Sequence, residues 1–437
     1  MDRQQLLKAA KKVLDHNDRG SYTVPAEKLY PHQWMWDSCF IAIGLRHTDP
    51  RRAQKELISL LRGQWANGML PHILFSNDRS NWKQRHEEAL INPHAPNGVI
   101  TSGMTQPPIM AEAVLAVGEK LNAGDRRIWY KLMFQQIVAY HQWLYDERDP
   151  HKTGLVSAIH PYETGMDSSP VWLDQLHRYA WPWWLTLLDI TRLIRLSKVL
   201  RRDTHFVRPE QRTRDSEALS SFLAIRRFRK LSFSGPEYLK SSWLPVEDIG
   251  FNSILARANT CLEQIANAIG EKLPAELAAN ARNTVNGLEQ LRDQETGLYL
   301  SRRRMDKTPI GQITIASLLP LYSGAISSDH ARKLVEYIRD DQWFGSHWPI
   351  PSVPVNSLNF NPWRYWQGPV WVNTNWMIWK GLKHYGYYQE AKMLRAKTLA
   401  LAARGGMSEY FNPLNGRPAG AKNFSWTAAL IIDLLND

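Results

Sequence analysis

Apolar residues recur along most of the chain at the three- and four-residue spacing of helices, and the alternation typical of β-strands is scarce. The spacing predicts about twelve main helices, many preceded by a capping Asp, Ser, Thr or Asn, plus an amphipathic helix at residues 3–17. The main helices are expected to begin near Asp37, Asp49, Thr105, Asp125, Pro182, Asp248, Leu273, Ala316, Ser327, Val372, Tyr388 and Asn423. The sequence therefore predicts an all-α protein.

Short turns such as "HTDP" and "NAGD" alternate with long irregular loops at residues 64–104, 147–181 and 341–371. Twelve helices with long loops at alternate junctions fit six helical hairpins closed in a ring, with every long loop at one end. The pattern thus predicts a single (α/α)6 barrel over residues 1–437. A basic stretch at 202–245 interrupts the alternation and is expected to form an inserted helical arm.

The formal charge of +12 suits an acidic partner, and nucleic acid is the first to consider. The charge is concentrated, however, because residues 191–240 hold 13 Lys and Arg against five Asp and Glu, a net +8. The run "IRRFRK" in this arm lacks interleaved aromatic residues and fits a solvated helix face better than a platform for single-stranded nucleic acid. We predict no nucleic-acid partner, and binding of DNA or RNA through the arm stays a third alternative.

The chain contains no run of about 18 uncharged apolar residues, and its charged start lacks the apolar segment of a secretory signal. Cys39 and Cys261 each lie in an apolar helical pattern and are expected to be buried and reduced. These patterns predict a cytoplasmic protein without a membrane partner. Motifs for a catalytic zinc, a dinucleotide or a phosphate-binding loop are missing, so no metal and no cofactor are predicted.

The long loops contain the residues that could carry chemistry. Their conspicuous motifs are "GMLPHILF" (68–75), "TSGMTQPP" (101–108), "HPYETGMDSSPVW" (160–172), "NFNPWRYWQGPVWVNTNW" (359–376) and "MSEYFNPLNGRP" (407–418). Seven of the 19 Trp residues lie between Trp343 and Trp379. Loops that share one end of a ring would enclose a pocket of tryptophans, amides and carboxylates, which suits the apolar faces and the hydroxyls of a sugar.

Two carboxylates have surroundings suited to cleavage of a glycosidic bond. Asp167 follows a glycine in "GMDSSP" and has Tyr162 and Trp172 nearby, and partial desolvation would raise its pKa and let it protonate a leaving oxygen. Glu409 lies on the last long loop, where it could activate a water. The alternative for each residue is a helix cap or a loop hydrogen bond.

Taken in order, "YPHQWMWDSCF", "GMLPH", "TQPP", "GMDSSPVW", "YWQGPVWVNTNW" and "SEYFNPLNG" resemble glycoside hydrolase family 63, in particular its short bacterial mannosylglycerate and glucosylglycerate hydrolases. The resemblance extends from about Tyr30 to Trp426. It implies an (α/α)6 barrel that hydrolyses an α-glycosidic bond with inversion and without a metal.

By this resemblance Asp167 is the general acid and Glu409 the general base. Inversion then implies a carboxyl separation of about 6.5–9.5 Å, with room for the attacking water. The residues that the resemblance assigns to the sugar subsite are Tyr30, Trp34, Met35, Trp36, Asp37, Gln106, Gly165, Tyr365 and Trp366. Asp37 is expected to bind hydroxyls rather than to transfer protons.

The chain departs from the glycerate-specific relatives in the basic arm. Those relatives hold the glycerate carboxylate with an Arg-Pro pair and a later Tyr, whereas here Thr213 follows Arg212 and Ala218 occupies the tyrosine position. Arg208 and Pro209 give a second alignment, again without the tyrosine. The positive charge of the arm still favours an anionic aglycone, because arginine binds carboxylates through two parallel hydrogen bonds.

We therefore predict an inverting α-glycosidase that acts on a small α-glucoside or α-mannoside, with a glycerate-type aglycone as first choice. An α-glucosidase acting on neutral α-gluco-oligosaccharides and a non-catalytic sugar-binding barrel are the alternatives. Glucose and mannose differ at one hydroxyl, so both stay open as the released sugar, as does the oligomeric state.

Overall fold

The computed structural model describes residues 1–76, 87–194 and 201–437. Helices dominate these ranges, which contain α1 (Arg3–Asn17), α2 (Met35–Leu45), α3 (Pro50–Leu61), α4 (Met110–Glu119), α5 (Ala123–Arg148), α6 (Pro170–Tyr179), α7 (Trp183–Ile190), α8 (Asp203–Phe206), α9 (Asp215–Lys230), α10 (Gly235–Ser241), α11 (Ile249–Ile269), α12 (Ala275–Gln290), α13 (Pro320–Ser323), α14 (Ser328–Arg339), α15 (Val372–His384), α16 (Tyr388–Gly405) and α17 (Ser425–Leu435). Among the described residues, none of these helices combines the length and the apolar character needed to span a membrane.

Six of the helices form a closed inner ring. In order around the ring they are α2, α4, α11, α13, α15 and α17, each packed against the next, and α17 packs against α2. Every residue of α2 and of α17 is buried, which explains why both helices are apolar around their whole circumference. A Cβ added to Gly44 would lie 2.3 Å from the carbonyl oxygen of Ala429, so glycine is needed where these two helices meet.

An outer layer of six helices surrounds this ring. Helices α3, α5, α12, α14 and α16 each pack against the inner helix that precedes them, and α1 packs against α17. The outer helices bury one face only, as in α14, where Ala331, Leu334 and Val335 are the buried residues. The two layers form the predicted (α/α)6 barrel.

The set of helices that forms the barrel differs from the set predicted from the sequence. The helix predicted near Pro182 is α7, which is not one of the twelve helices of the barrel, whereas the N-terminal helix α1 completes the sixth hairpin with α17. The first and last helices of the chain meet through tertiary packing alone, so no local pattern marks their pairing. The helix expected near Thr105 begins at Met110 instead, because Pro107 and Pro108 each disfavour the helical conformation of the residue before them.

Five helices, α6 to α10, lie in the chain between the outer helix α5 and the inner helix α11. Helix α6 packs against α9, and Trp172, Leu176 and Ala224 join a second, smaller hydrophobic cluster beneath them. The arm predicted at residues 202–245 includes α8, α9 and α10, and its division from the barrel stays a prediction.

Each strand has two residues and lies in a junction that leads from an outer to an inner helix. The strands are β1 (Gln33–Trp34), β2 (Ile73–Leu74), β3 (Ser157–Ala158), β4 (Val246–Glu247), β5 (Arg302–Arg303), β6 (Tyr410–Phe411) and β7 (Pro418–Ala419). They pair antiparallel as β1 with β2, as β3-β4-β5 and as β6 with β7. Because all outer-to-inner junctions lie at the same end of a ring of hairpins, the pairings β1-β2 and β3-β4-β5 fasten different junctions to one another at that end.

Candidate active site

A cavity of about 420 Å³ lies at the end of the barrel that carries these junctions. Ten of the twelve site residues predicted from the sequence line it: Tyr30, Trp34, Trp36, Asp37, Gln106, Gly165, Asp167, Arg212, Tyr365 and Glu409. They come from five separate junctions, from the first turn of α2 and from the segment before α9. The fold therefore brings together residues that lie up to 379 positions apart, such as Tyr30 and Glu409.

The two other predicted residues, Met35 and Trp366, are not among the residues that line the cavity. Met35 is fully buried at the start of α2, where its N–H donates to the carbonyl of His72 at 3.0 Å. The indole of Trp366 stacks on that of Trp371 with their centroids 3.9 Å apart. Both side chains pack within the core that surrounds the cavity, and a contact with sugar stays a prediction for each.

Asp167 reaches the cavity from a tight turn. A 3₁₀ helix, Pro161–Thr164, ends at Gly165, whose φ of 69° favours glycine. A Cβ at Gly165 would lie 2.4 Å from the ring of Trp36, so the absence of a side chain allows the turn to pack directly on this indole. Asp167 follows two residues later, between the turn and the start of α6.

The surroundings of Asp167 favour its protonated form. Burial raises the pKa of Asp167 to about 7 against the opposing effects of Arg212, His72 and a hydrogen bond from Tyr365, and Glu87 adds to the rise. The Tyr365 hydroxyl donates to Oδ2 of Asp167 at 3.4 Å. A carboxyl group with a pKa near neutrality can hold a proton and deliver it to a leaving oxygen.

Glu409 is surrounded by donors. The Ala421 N–H donates to its Oε2 at 2.8 Å, and the Tyr30 hydroxyl donates to its Oε1 at 2.8 Å. Nη1 of Arg212 lies 3.1 Å from Oε1 and 3.4 Å from Oε2. An ionised carboxylate, which can only accept hydrogen bonds, satisfies all these partners. The two carboxyl groups predicted to do the chemistry thus lie in contrasting environments.

Arg212 connects the two sides of the cavity. Its Nη2 donates to the Tyr30 hydroxyl at 2.9 Å and its Nε to Oδ2 of Asp203 at 3.2 Å, while its guanidinium lies over the Tyr365 ring, 4.1 Å from the centroid. Arg201 in turn donates to Asp203 at 2.6 Å and to Asp215 at 2.9 Å. Alternating charges therefore hold the segment before α9 against the barrel.

The floor of the cavity is built on the first turn of α2. The Trp36 N–H donates to Oε1 of Gln106 at 3.1 Å, which fixes this amide beside the cavity. Burial raises the pKa of Asp37 well above its ordinary value, and nearby Glu409 adds to the rise. A protonated carboxyl group can both donate and accept hydrogen bonds, which suits binding to a sugar hydroxyl.

The cavity is also lined by residues that the sequence did not single out, including Glu87, Arg201, Asp203, Asp215, Phe222, Phe424 and Trp426. Trp426 lies at the end of the segment that resembles the family, so the resemblance could have identified it as a candidate site residue. Arg201 and Asp203 carried no such signal, because they belong to the basic stretch at 191–240 and reach the cavity only through tertiary structure. Within the ranges that the structure describes, no group of three or more His, Cys, Asp or Glu side chains could hold a metal ion.

Comparisons with known proteins agree with this geometry. Residues 30–427 match the family described as the mannosylglycerate hydrolase MGH1-like glycoside hydrolase domain. The chain is 39% identical over 430 residues to the mannosylglycerate hydrolase of Thermus thermophilus, which covers 97% of this chain and 99% of that protein. It is 31% identical over 450 residues to the glucosylglycerate hydrolase of Mycolicibacterium hassiacum, which covers 99% of this chain and 98% of the relative.

The fold is likewise similar to a solved structure. The crystal structure of a GH63 mannosylglycerate hydrolase from Thermus thermophilus in complex with Tris and D-glycerate superposes with a TM-score of 0.87. That comparison covers 98% of this chain and 99% of the other at 37% sequence identity.

Proposed function

We propose that the chain cleaves a small α-glycoside of an acidic aglycone with inversion. The premise is that the chain belongs to the MGH1-like glycoside hydrolase family and is a glycoside hydrolase. The observation that carries this proposal is the contrast between the two cavity carboxyl groups. Asp167 has its pKa raised to about 7, whereas Glu409 accepts hydrogen bonds from donors on several sides. Glycosidases need one carboxylic acid and one carboxylate of this kind, and the family resemblance favours inversion over retention.

In the proposed reaction Asp167 donates its proton to the glycosidic oxygen as the bond from that oxygen to the anomeric carbon breaks. Glu409 accepts a proton from a water whose oxygen forms the new bond to the anomeric carbon on the opposite face. Trp36 and Trp426 supply apolar surface beside the sugar ring, and Asp37 and Gln106 bind its hydroxyls.

Arg212 supports an acidic aglycone. A substrate carboxylate in the cavity would compete with Glu409 for the N–H groups of this guanidinium, which is buried yet lines the cavity. The lone pairs of Glu409 are occupied by Tyr30, Arg212 and Ala421. A shift of Arg212 toward the substrate frees a Glu409 oxygen for the attacking water, so binding of the aglycone also prepares the base.

Mannosylglycerate is our first candidate substrate and glucosylglycerate the second. This order follows from sequence identity, because the mannosylglycerate hydrolase is 39% identical to this chain and the glucosylglycerate hydrolase is 31% identical. We place the enzyme in the cytoplasm, which agrees with Cys39 and Cys261 being free and buried.

The direct test compares mannosylglycerate, glucosylglycerate and neutral α-linked disaccharides as substrates at equal concentration. We expect the two acidic glycosides to be hydrolysed fastest, and proton NMR to detect the β-anomer as the first sugar released. Faster cleavage of the neutral disaccharides would contradict the acidic aglycone. An α-anomer at early times would contradict inversion.

A further inference from the structure

Gln211 joins the arm side of the cavity to the hairpin of β6 and β7, which begins directly after Glu409. It ends a short 3₁₀ helix, Pro209–Gln211, and Arg212 follows it in the chain. Its side chain is half-buried and is not among those that line the cavity. The proposed mechanism therefore gives Gln211 no contact with the substrate.

The backbone carbonyl of Gln211 accepts two hydrogen bonds from junctions of the barrel. The Tyr410 hydroxyl donates to it, and the Tyr365 N–H donates to it at 3.3 Å. Tyr410 is fully buried and is the first residue of β6. The ring of Tyr365 lies under the Arg212 guanidinium. Both lone pairs of this carbonyl are thus used to fasten the residue before Arg212 to the barrel.

The side-chain amide of Gln211 reaches the other end of the same hairpin. Its Oε1 accepts a hydrogen bond from the Gly420 N–H at 3.1 Å. The next N–H along the chain, that of Ala421, donates to Oε2 of Glu409 at 2.8 Å. The Glu409 N–H in turn donates to the Ala421 carbonyl at 2.8 Å. Gln211 therefore binds the peptide group next to the one that holds the Glu409 carboxylate.

The backbone at Gly420 passes very close to this carboxylate. Its φ of 72° favours glycine, and a Cβ there would lie 2.5 Å from Oε2 of Glu409. A displacement of this turn would therefore also displace the Glu409 side chain. The contact from Gln211 fixes the turn from the arm side.

We propose that Gln211 and Tyr410 are positioning residues that hold Arg212 in register with Glu409. Their hydrogen bonds fix the backbone directly before Arg212, so that only its side chain moves when the guanidinium turns from Glu409 toward the aglycone carboxylate. Without these bonds the whole segment is free to shift, and the guanidinium spends less time within reach of either carboxylate. This inference rests on the proposed function, because it takes Arg212 to bind the aglycone and Glu409 to be the general base.

The experiment measures kcat/KM for variants that each remove one of these hydrogen bonds. The substrate is mannosylglycerate or glucosylglycerate, whichever the wild type cleaves faster. Gln211→Met keeps the length of the side chain but removes the oxygen that accepts from Gly420, and Tyr410→Phe removes only a hydroxyl. We expect each variant to lose about fivefold in kcat/KM, the size expected for one hydrogen bond.

A double-mutant cycle separates positioning from damage to the fold. Each substitution is repeated in an Arg212→Ala background, which has no guanidinium left to position. We expect the losses in this background to be less than about twofold, because substitutions that act through a shared partner are not additive. Full fivefold losses in this background, at an unchanged Tm, would overturn the proposal.

Two matched controls remove similar hydrogen bonds elsewhere. Asn415→Leu removes an amide oxygen that accepts from the Arg417 N–H at 3.0 Å, in the turn between β6 and β7. Tyr130→Phe removes the hydroxyl of a buried tyrosine of α5 that donates to the Leu115 carbonyl of α4 at 3.0 Å. Neither side chain lines the cavity, so both variants should keep the wild-type rate. A fivefold loss in both controls would mean that any lost hydrogen bond has this effect, and would overturn the proposal.

The outcome for Arg212→Ala distinguishes this inference from the proposed function. An Arg212→Ala variant with the wild-type rate on the acidic glycoside would overturn the role of Arg212 in the proposed function. A strong loss in Arg212→Ala, together with wild-type rates for Gln211→Met and Tyr410→Phe, would overturn the inference alone.

Discussion

The cavity has two sides that are held in different ways. On the barrel side, Trp36 and Asp37 belong to α2 and Trp426 to α17, inner helices in which every residue is buried. On the arm side, Arg212 and Asp203 lie in short segments and are held by ion pairs. The floor of the cavity is therefore fixed by the packing of the barrel, whereas the arm side is held by a few charges.

This difference indicates which part of the site can change without loss of the fold. A side chain at Gly44 would disturb the close contact of α2 with Ala429 of α17, and overpacking there costs stability. A substitution in the arm changes the charge and shape of one wall. The departures from the glycerate-specific pattern at Thr213 and Ala218 occur on the arm side.

The largest effect is expected from the two carboxyl groups proposed to be catalytic, one predicted to give a proton and the other to take one. Asp167→Asn and Glu409→Gln should each lower kcat by about 10²- to 10⁴-fold, because neither amide can transfer the proton required. Thermal unfolding of both variants should stay close to that of the wild type. If either variant kept most of the wild-type rate at an unchanged Tm, the role given to that residue would be wrong.

A smaller loss is expected when the charge on the arm side is removed. Arg212→Ala should lower kcat/KM on mannosylglycerate by about 10²-fold, since a buried arginine that pairs with a carboxylate is lost. The loss on a neutral α-mannoside should be smaller. Equal losses on both substrates would mean that Arg212 serves Glu409 and not the aglycone.

Arg208→Ala is the matched control for this variant. Arg208 carries the same charge four residues earlier, is exposed, and is not among the residues that line the cavity. It was also the alternative alignment for the aglycone arginine. We expect Arg208→Ala to act like the wild type, and a loss there instead would support the alternative alignment.

The pH dependence is expected to follow Asp167. The general acid must carry its proton, and burial raises the pKa of Asp167 to about 7. The value of kcat/KM should therefore fall as pH rises through about 7, approaching a tenfold loss per unit at higher pH. An alkaline limb that begins well above this value would indicate that another group donates the proton.

Much of the fold could be predicted because helix starts have local chemical signals. Asp49, Asp248 and Ser327 cap α3, α11 and α14. This agrees with the prediction, which was made because each residue precedes a segment of apolar residues at helical spacing. The pairing of α1 with α17 could not be predicted this way, because it joins the two ends of the chain.

The residues of the candidate site also could be predicted only where the local sequence carries a signal. Residues inside distinctive motifs, such as Asp167 and Tyr365, were predicted from the sequence and line the cavity. Glu87, Arg201 and Asp203 were missed, because a single charged residue in a loop or a basic stretch resembles any solvated one until the fold brings it to a cavity. The barrel side was thus easier to predict than the arm side.

The smallest expected effect tests whether the arm side accepts glycerate. Ala218 lines the cavity, and it occupies the position where the family resemblance leads us to expect a tyrosine. Ala218→Tyr should lower the KM for mannosylglycerate by about fivefold if one added hydroxyl donates to the aglycone carboxylate. Ala218→Phe adds the same ring without the hydroxyl and should give no such gain. An equal rise in KM for both variants would mean that the space beside Ala218 holds part of the natural substrate, whose aglycone would then be larger than glycerate.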